Sequence, residues 1–145
     1  PVNDPKGPTP HDPKGSTPGI ERLRPLKETE GSTPNIVTKV YKMTNISENP
    51  ETCYFMNPEE QIKIFKDMRT LGIEMVGIYH SHLNAPAYPS QKDINMAFYR
   101  EVYYMIISLS FNVKTLEFNE PIARTFKIID GDIFEEKILI SEEIK

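Results

Sequence analysis

Apolar and polar residues follow different periods in different parts of this 145-residue chain. They alternate from Ile36 to Met43, which is the pattern of a half-buried strand. Short apolar runs at Met75–Tyr79 and Tyr103–Leu109 predict two further strands, the first extending back to Glu74. Segments with a helical period lie between these strands. The sequence therefore predicts a mixed α/β (α+β) domain over residues 35–145.

One helix is predicted between Asn57 and Gly72. Asn57 is a sound N-cap, Pro58 suits the first helical position, and Glu60 completes a capping box. Gly72 then ends the helix. Five apolar residues lie along one side and are expected to pack into the core: Ile62, Ile64, Phe65, Met68 and Leu71.

The second half of the chain predicts a shorter helix and a hairpin. The helix is expected from Ser90 to about Tyr99, with Ser90 as its cap. Asp130-Gly131 separates two apolar segments, 122–129 and 133–140, and this dipeptide is a strong signal for a hairpin turn. Residues 111–121 are predicted to form a loop.

Residues 1–34 differ in composition from the rest. They contain eight of the thirteen prolines and four of the seven glycines, in a loose repeat that includes Asp4-Pro-Lys-Gly and Asp12-Pro-Lys-Gly. Such a segment buries too little apolar surface to offset its chain entropy. We therefore expect a disordered or extended N-terminal tail, in which only Ile20–Leu26 has enough apolar residues to dock on a surface.

Composition restricts the class of protein. An apolar fraction of 38% with a net charge of −4 is typical of a soluble globular domain, and it does not indicate a nucleic-acid partner. The sequence has neither a long apolar run nor a charged leader followed by an apolar segment. We therefore expect no membrane span and no secretory signal. Cys53 is the single cysteine, which favours a reducing, cytoplasmic location. No thiolate-activating group accompanies it, so a small half-buried side chain is expected.

Candidate chemistry is concentrated between His80 and Asp93. Strand side chains alternate faces, so His80 and His82 point the same way at the end of the 75–79 run. Ser90 caps the next helix and Asp93 lies in its first turn, from which a carboxylate can swing back toward the histidines. Two imidazoles and one carboxylate leave an open position on a tetrahedral zinc, as in hydrolytic rather than structural sites.

This His-x-His-x7-Ser-x2-Asp pattern resembles that of the JAMM (JAB/MPN-plus) metallopeptidases, which cut peptide and isopeptide bonds next to ubiquitin-like folds. The similarity to bacterial and archaeal members covers about 100 residues, and several segments occur in family order. They are the Val37–Met43 strand, the Asn57–Gln61 helix start, the Gly77–His82 strand, the Ala87–Ser90 loop and the Tyr104–Leu109 strand. One departure is Leu83, where the family commonly has proline.

The resemblance implies a fold and a function. The fold is a central mixed β-sheet flanked by helices, with a cytidine-deaminase-like architecture, here lacking its usual first helix. His80, His82 and Asp93 would be the zinc ligands, and Ser90 would help to hold the oxyanion. The substrate would be a ubiquitin-like or sulfur-carrier protein with a Gly-Gly tail.

The resemblance also implies a glutamate that takes a proton from the metal-bound water, usually in a Glu-x-x-Gly context upstream. The nearest match is Glu28-Thr-Glu-Gly31, but Ser32-Thr33-Pro34 replace the apolar residues that normally follow. Glu21 and Glu30 match the context less well. Acidic residues in a proline-rich segment are often only solvated.

Three alternatives stay open. The same ligand types can hold non-haem iron, although nothing else in the chain indicates an oxygenase. A domain without its base would be a non-catalytic scaffold or carrier-recognition module. The DNA-repair-associated branch of the superfamily shares the ligand spacing, but it carries His-Asn-His followed by Pro-Ser-Gly, whereas this chain has His80-Ser81-His82-Leu83.

Overall fold

The computed structural model describes residues 34–140. The predictions for the tail up to residue 33, and with them Glu21, Glu28 and Glu30, lie outside the described residues. The described part contains two α-helices and six strands in the following order. They are α1 (Pro58–Leu71), β1 (Gly77–Leu83), α2 (Gln91–Asn95), β2 (Tyr103–Leu109), β3 (Phe111–Asn112), β4 (Glu117–Phe118), β5 (Ile122–Ile129) and β6 (Asp132–Glu136).

Four of these strands form a mixed sheet in the order β1-β2-β5-β6. β1 pairs with β2 in parallel, and the connection between them passes through α2. The pairs β2–β5 and β5–β6 are antiparallel. The sheet and its helices confirm the predicted mixed α/β fold. Neither α1 nor α2 combines the length and apolar character that a membrane-crossing helix requires.

One face of the sheet carries the core. Side chains alternate across each strand, so Ile106 of β2, Phe126 of β5 and Ile133 of β6 lie on the same face, and each has 0% of its surface exposed. Ile94 of α2 and Tyr88 of the preceding loop pack against this cluster. The core is therefore built by the sheet together with the segment that connects β1 to β2.

The β5–β6 hairpin turns at the predicted dipeptide. Asp130 and Gly131 have φ values of 52° and 85°, the left-handed conformations that a two-residue hairpin turn needs. The hairpin prediction is thus confirmed, although β6 ends at Glu136 and not at Ile140. Residues 111–118 contain the short β3–β4 hairpin where a loop was predicted.

Both ends of α1 follow the sequence prediction. The Asn57 side chain accepts hydrogen bonds from the backbone N–H groups of Glu59 and Glu60, and Gly72 adopts φ 64° directly after the last helical residue. The predicted capping box does not form. Glu60 instead accepts hydrogen bonds from the backbone N–H and the hydroxyl of Thr44, at 2.7 Å each.

The prediction of a strand at 36–43 is wrong for the described structure. This segment is extended, but its backbone pairs with no strand of the sheet, and the only bridge nearby joins Asn45 and Met56. It runs beside α1, where Lys39 and Tyr41 both donate to the Asp67 carboxylate, at 2.7 and 2.5 Å. Alternating apolar and polar residues suit a segment to strand pairing, but a strand forms only where the edge of another strand lies beside it.

The prediction that the apolar side of α1 packs into the core is also largely wrong. Met68 is 8% exposed, whereas Ile62, Phe65 and Leu71 are 56%, 41% and 51% exposed. A cleft of about 3030 Å³ is lined by Phe65 and Met68 of the helix and by Ile107 of β2, so this side of α1 borders open space. The predicted second helix is shorter than expected, since α2 ends at Asn95.

Candidate metal centre

β1 directs both histidines to the core face of the sheet. In the parallel register His80 lies opposite Ile106 and His82 lies opposite Ser108 of β2. His80 and His82 are two residues apart, so their side chains leave the strand on the same side. Their Nε2 atoms are 3.1 Å apart. Both histidines therefore lie on one face of the strand, as the alternation of side chains predicts.

Asp93 reaches the histidines from the first turn of α2. Ser90 caps this helix, because its hydroxyl accepts a hydrogen bond from the Asp93 backbone N–H at 3.2 Å. In return, the Asp93 Oδ2 atom accepts from the Ser90 backbone N–H at 2.7 Å and from the Ser90 hydroxyl at 2.6 Å. This reciprocal capping box fixes the carboxylate, which is 7% exposed.

The three side chains converge on one point. His80 Nε2 lies 3.0 Å from Asp93 Oδ1, and His82 Nε2 lies 3.2 Å from Asp93 Oδ2. One donor atom from each residue falls within 4.8 Å of the others, so this group can hold a metal ion. Ligands about 2.0–2.1 Å from a tetrahedral Zn²⁺ stand roughly 3.3 Å apart. The observed separations are close to that spacing, so the donor set fits such an ion.

The carboxylate is poised to be an anionic ligand. Burial by itself would raise the pKa of Asp93, but hydrogen bonds from His80 and Ser90 outweigh it and lower the pKa to about 2. Asp93 is therefore ionised throughout the range in which proteins normally work. A negative charge held against two imidazoles favours a cation at their common point.

Comparison with known proteins agrees with this geometry. A sequence profile described as "Prokaryotic homologs of the JAB domain" matches residues 26–120, well over half of the chain. The chain belongs to the prokaryotic JAB family. The resemblance to the bacterial and archaeal JAMM proteins is thereby confirmed.

Relatives of this JAB domain include named enzymes. It is 32% identical over 101 residues to the CysO-cysteine peptidase of Mycobacterium tuberculosis, covering 70% of this chain and 64% of that protein. It is 32% identical over 72 residues to the desampylase of Haloferax volcanii, which covers 50% of this chain and 52% of that protein. A probable TtuB-protein conjugate cleaving protease of Thermus thermophilus is 36% identical over 67 residues, which cover 46% of this chain and 45% of that protein. The chain thus spans no more than about two thirds of these relatives.

A solved structure supports the fold. The solution structure of a protein from Desulfitobacterium hafniense is 37% identical, with a TM-score of 0.61, and the match covers 75% of this chain and 70% of that one. The fold is therefore supported by a solved structure as well as by sequence similarity.

Ser90 of the JAB domain has a second partner besides the helix that it caps. Its hydroxyl donates to Asp93 Oδ2, so in this structure it orients the carboxylate. The role as an oxyanion donor stays a prediction. The histidines and Asp93 are brought together as predicted, and their role as zinc ligands stays a prediction as well.

Cys53 differs from its sequence-based interpretation in one respect. It is half-buried as expected, but Lys92, the residue before Asp93, donates a hydrogen bond to its sulfur. This contact, together with one from Ser47, lowers the pKa of the Cys53 thiol. The sequence did not predict an activating group because Lys92 comes from a different segment, α2.

The proton acceptor is not part of the described site. Within residues 34–140 no glutamate lies near enough to join the group of His80, His82 and Asp93. The sequence candidates Glu21, Glu28 and Glu30 lie outside the described residues.

One aromatic neighbour that the sequence did not predict is Tyr54, whose ring stacks on His80. Only the three-dimensional structure reveals it, since no spacing rule connects the two residues.

Proposed function

We propose that this chain is a zinc-dependent metallopeptidase that hydrolyses a peptide or isopeptide bond at the C-terminus of a ubiquitin-like or sulfur-carrier protein. The observation that carries the proposal is the convergence of His80, His82 and Asp93 within 4.8 Å. Three relatives named as a peptidase, a conjugate-cleaving protease and a desampylase support the substrate class.

The donor set favours zinc. Two imidazoles and one carboxylate are a common catalytic zinc set, and the separations of 3.0–3.2 Å suit a small tetrahedral ion. Non-haem iron uses the same residue types, but it prefers more coordination positions. Bound zinc supplies a Lewis acid for the scissile carbonyl and a water molecule acidic enough to act near neutral pH.

The chain's own residues then have separate tasks. His80, His82 and Asp93 would hold the ion and would leave a coordination position for water or substrate. The Ser90 backbone N–H keeps Asp93 in place, which frees the Ser90 hydroxyl to turn from the carboxylate to the oxygen that becomes negative during attack. One such donor is worth about 10²–10³ in kcat in related chemistry.

The sheet offers a route for the substrate. β1, which carries both histidines, is an edge strand of the sheet formed by the described residues. An extended chain can pair along such an edge and bring its last peptide bond to the metal centre. A Gly-Gly tail suits this route because it has no side chains to hinder the approach.

The general base is proposed to be Glu28. What supports it is the family match, which begins at residue 26 and so includes the Glu28-Thr-Glu-Gly31 segment. The base would accept a proton from water and deliver it to the departing amine as the C–N bond breaks. Glu30 and Glu21 are the other candidates.

The experiment measures metal and turnover together. Purified chain is expected to hold about one zinc per molecule and to release a reporter fused behind the Gly-Gly end of a β-grasp carrier. His80→Ala and Asp93→Asn should lose both, and His11→Ala is the matched control, since it removes the third histidine of the chain. Unchanged zinc content in His80→Ala would refute the proposal.

A second function is favoured by one observation, the lack of a glutamate in the described metal group. If Glu28 does not reach the site, the domain would bind a carrier without cutting it. Mixing the zinc-loaded chain with the Gly-Gly carrier fusion separates the two cases. Turnover that is lost in Glu28→Gln supports the peptidase, whereas tight binding with no change in mass supports the recognition module.

A further inference from the structure

The two histidines of the metal centre are held in different ways. His82 has a hydrogen-bond partner behind it, because its Nδ1 lies 2.9 Å from the carbonyl oxygen of Pro86. The corresponding Nδ1 of His80 is buried and has no hydrogen-bond partner among the described residues. A metal-binding histidine usually donates its second N–H to an acceptor that fixes the ring. Residues 34–140 provide no such acceptor for His80.

An aromatic ring occupies the face of His80 instead. The Tyr54 ring stacks on the imidazole with centroids 4.4 Å apart and an angle of 29° between the planes. The other histidine is tilted by 56° to His80, so it is not a second stacking partner. The His80 side chain is 9% exposed. Turning this imidazole about its Cβ–Cγ bond would drive it into the Tyr54 ring.

We propose that Tyr54 is a positioning residue that holds the His80 imidazole in its metal-binding orientation by stacking, in place of a hydrogen bond. The proposal rests on the proposed function in so far as it takes His80 to be a metal ligand. Tyr54 comes from the loop before α1, so it also ties that loop to β1.

The stacking, and not the phenol group, is the part that matters. A phenylalanine at the same position keeps the ring and removes the hydroxyl, whereas a leucine keeps apolar volume and removes the planar face. Planar pairs gain energy beyond the area that they bury. Tyr54→Phe should therefore bind metal like the parent chain, and Tyr54→Leu should bind it more weakly.

Zinc affinity tests this inference without any substrate. Competition with a chromophoric chelator is expected to give Tyr54→Leu a Kd about 10–100-fold above that of the parent, the range found when the support of a metal ligand is removed. Tyr54→Phe should stay near the parent value. Phe55→Leu is the matched control, because it removes the adjacent aromatic ring, which is 49% exposed. Equal affinity in Tyr54→Leu and the parent would overturn the inference.

Two further measurements separate positioning from loss of folding. The visible spectrum of the Co²⁺ form reports ligand geometry, and it should change in Tyr54→Leu but not in Tyr54→Phe. In the metal-free protein, NMR should find the His80 ring protons shifted upfield in the parent and released in Tyr54→Leu, with those of His82 unmoved. A Tyr54→Phe variant as weak as Tyr54→Leu, or unshifted His80 protons in the parent, would overturn the proposal.

The outcomes also distinguish this inference from the proposed function. A parent chain that binds no zinc refutes the metallopeptidase and the inference together. A parent that binds zinc and a Tyr54→Leu variant that binds it equally well refute the role of Tyr54 alone. Lack of turnover affects neither result, because the assay contains only protein, chelator and metal.

Discussion

The sheet with α2 and the segment with α1 are organised on different physical principles. Around the sheet, Ile106, Phe126 and Ile133 are fully buried, and the two histidines of the candidate metal centre leave β1 on the same face. Around α1, three large apolar residues of the helix are 41–56% exposed, and the connections are hydrogen bonds to residues 39–44. Burial contributes about 25 cal/mol for each Å² of apolar surface, so the first region carries most of the stability.

The difference shows which region the candidate site depends on. His80, His82 and Asp93 all come from β1 and α2, which belong to the packed region, and a site is most precise on rigid elements. Tyr54 reaches this site from the other region, where its ring stacks on His80. We therefore expect that damage to the packed region abolishes metal binding and that damage to α1 leaves it largely intact.

The largest expected effect is that of Phe126→Ala. The Phe126 ring is fully buried and packs edge-on against Tyr88 at 5.5 Å, so its removal leaves a cavity in the core of the sheet. The free energy of unfolding should fall by about 3–5 kcal/mol. Urea unfolding followed by far-UV circular dichroism measures the loss.

Phe65→Ala in α1 is the matched control for that change. It removes the same atoms from a residue that is 41% exposed, and it should cost about 1 kcal/mol or less. Similar losses in the two variants would mean that α1 is as well packed as the sheet, and the contrast between the regions would then be wrong.

Zinc is expected to stabilise the two regions unequally. A ligand present at 100 times its Kd stabilises the folded state by about 2.7 kcal/mol. Hydrogen exchange should slow in β1, β2 and α2, and it should change little in α1. Mass spectrometry of peptides from each region measures this. His80→Ala should abolish the zinc-dependent protection, and uniform slowing across α1 would show that both regions unfold together.

The sequence predicted what depends on nearby residues. His80 and His82 share a face because side chains alternate along a strand. Asp93 points toward them because it lies in the first turn of the helix that Ser90 caps. The Asp130-Gly131 turn likewise depends on local backbone conformation. These features need no knowledge of distant packing, so the fold class and the convergence of the three candidate ligands were correctly predicted.

What failed depends on contacts between distant segments. The 36–43 segment has the alternation of a strand but no adjacent strand in the described structure, and the apolar side of α1 faces a cleft. Glu60 leaves its expected capping box because Thr44 offers two donors. The Tyr54 stack on His80 and the Lys92 contact with Cys53 join segments that no local pattern connects.

The smallest expected effect is that of Asn57→Ala at the start of α1. The Asn57 side chain accepts from two backbone N–H groups of the first turn, so its removal should cost about 1 kcal/mol, mostly by fraying that end of the helix. Hydrogen exchange should speed up in the first turn of α1. Asn57→Ser keeps an oxygen acceptor and is the control.

The zinc affinity of Asn57→Ala tests directly whether the α1 region and the sheet region act separately. Because the candidate metal ligands belong to β1 and α2, fraying of α1 should leave the Kd for zinc near the parent value. Tyr54 lies only three residues before the cap, so a loosened helix start could still disturb its stack on His80. A rise in Kd in Asn57→Ala that matches the rise in Tyr54→Leu would show that α1 supports the metal centre through Tyr54, and the two regions would then act as one.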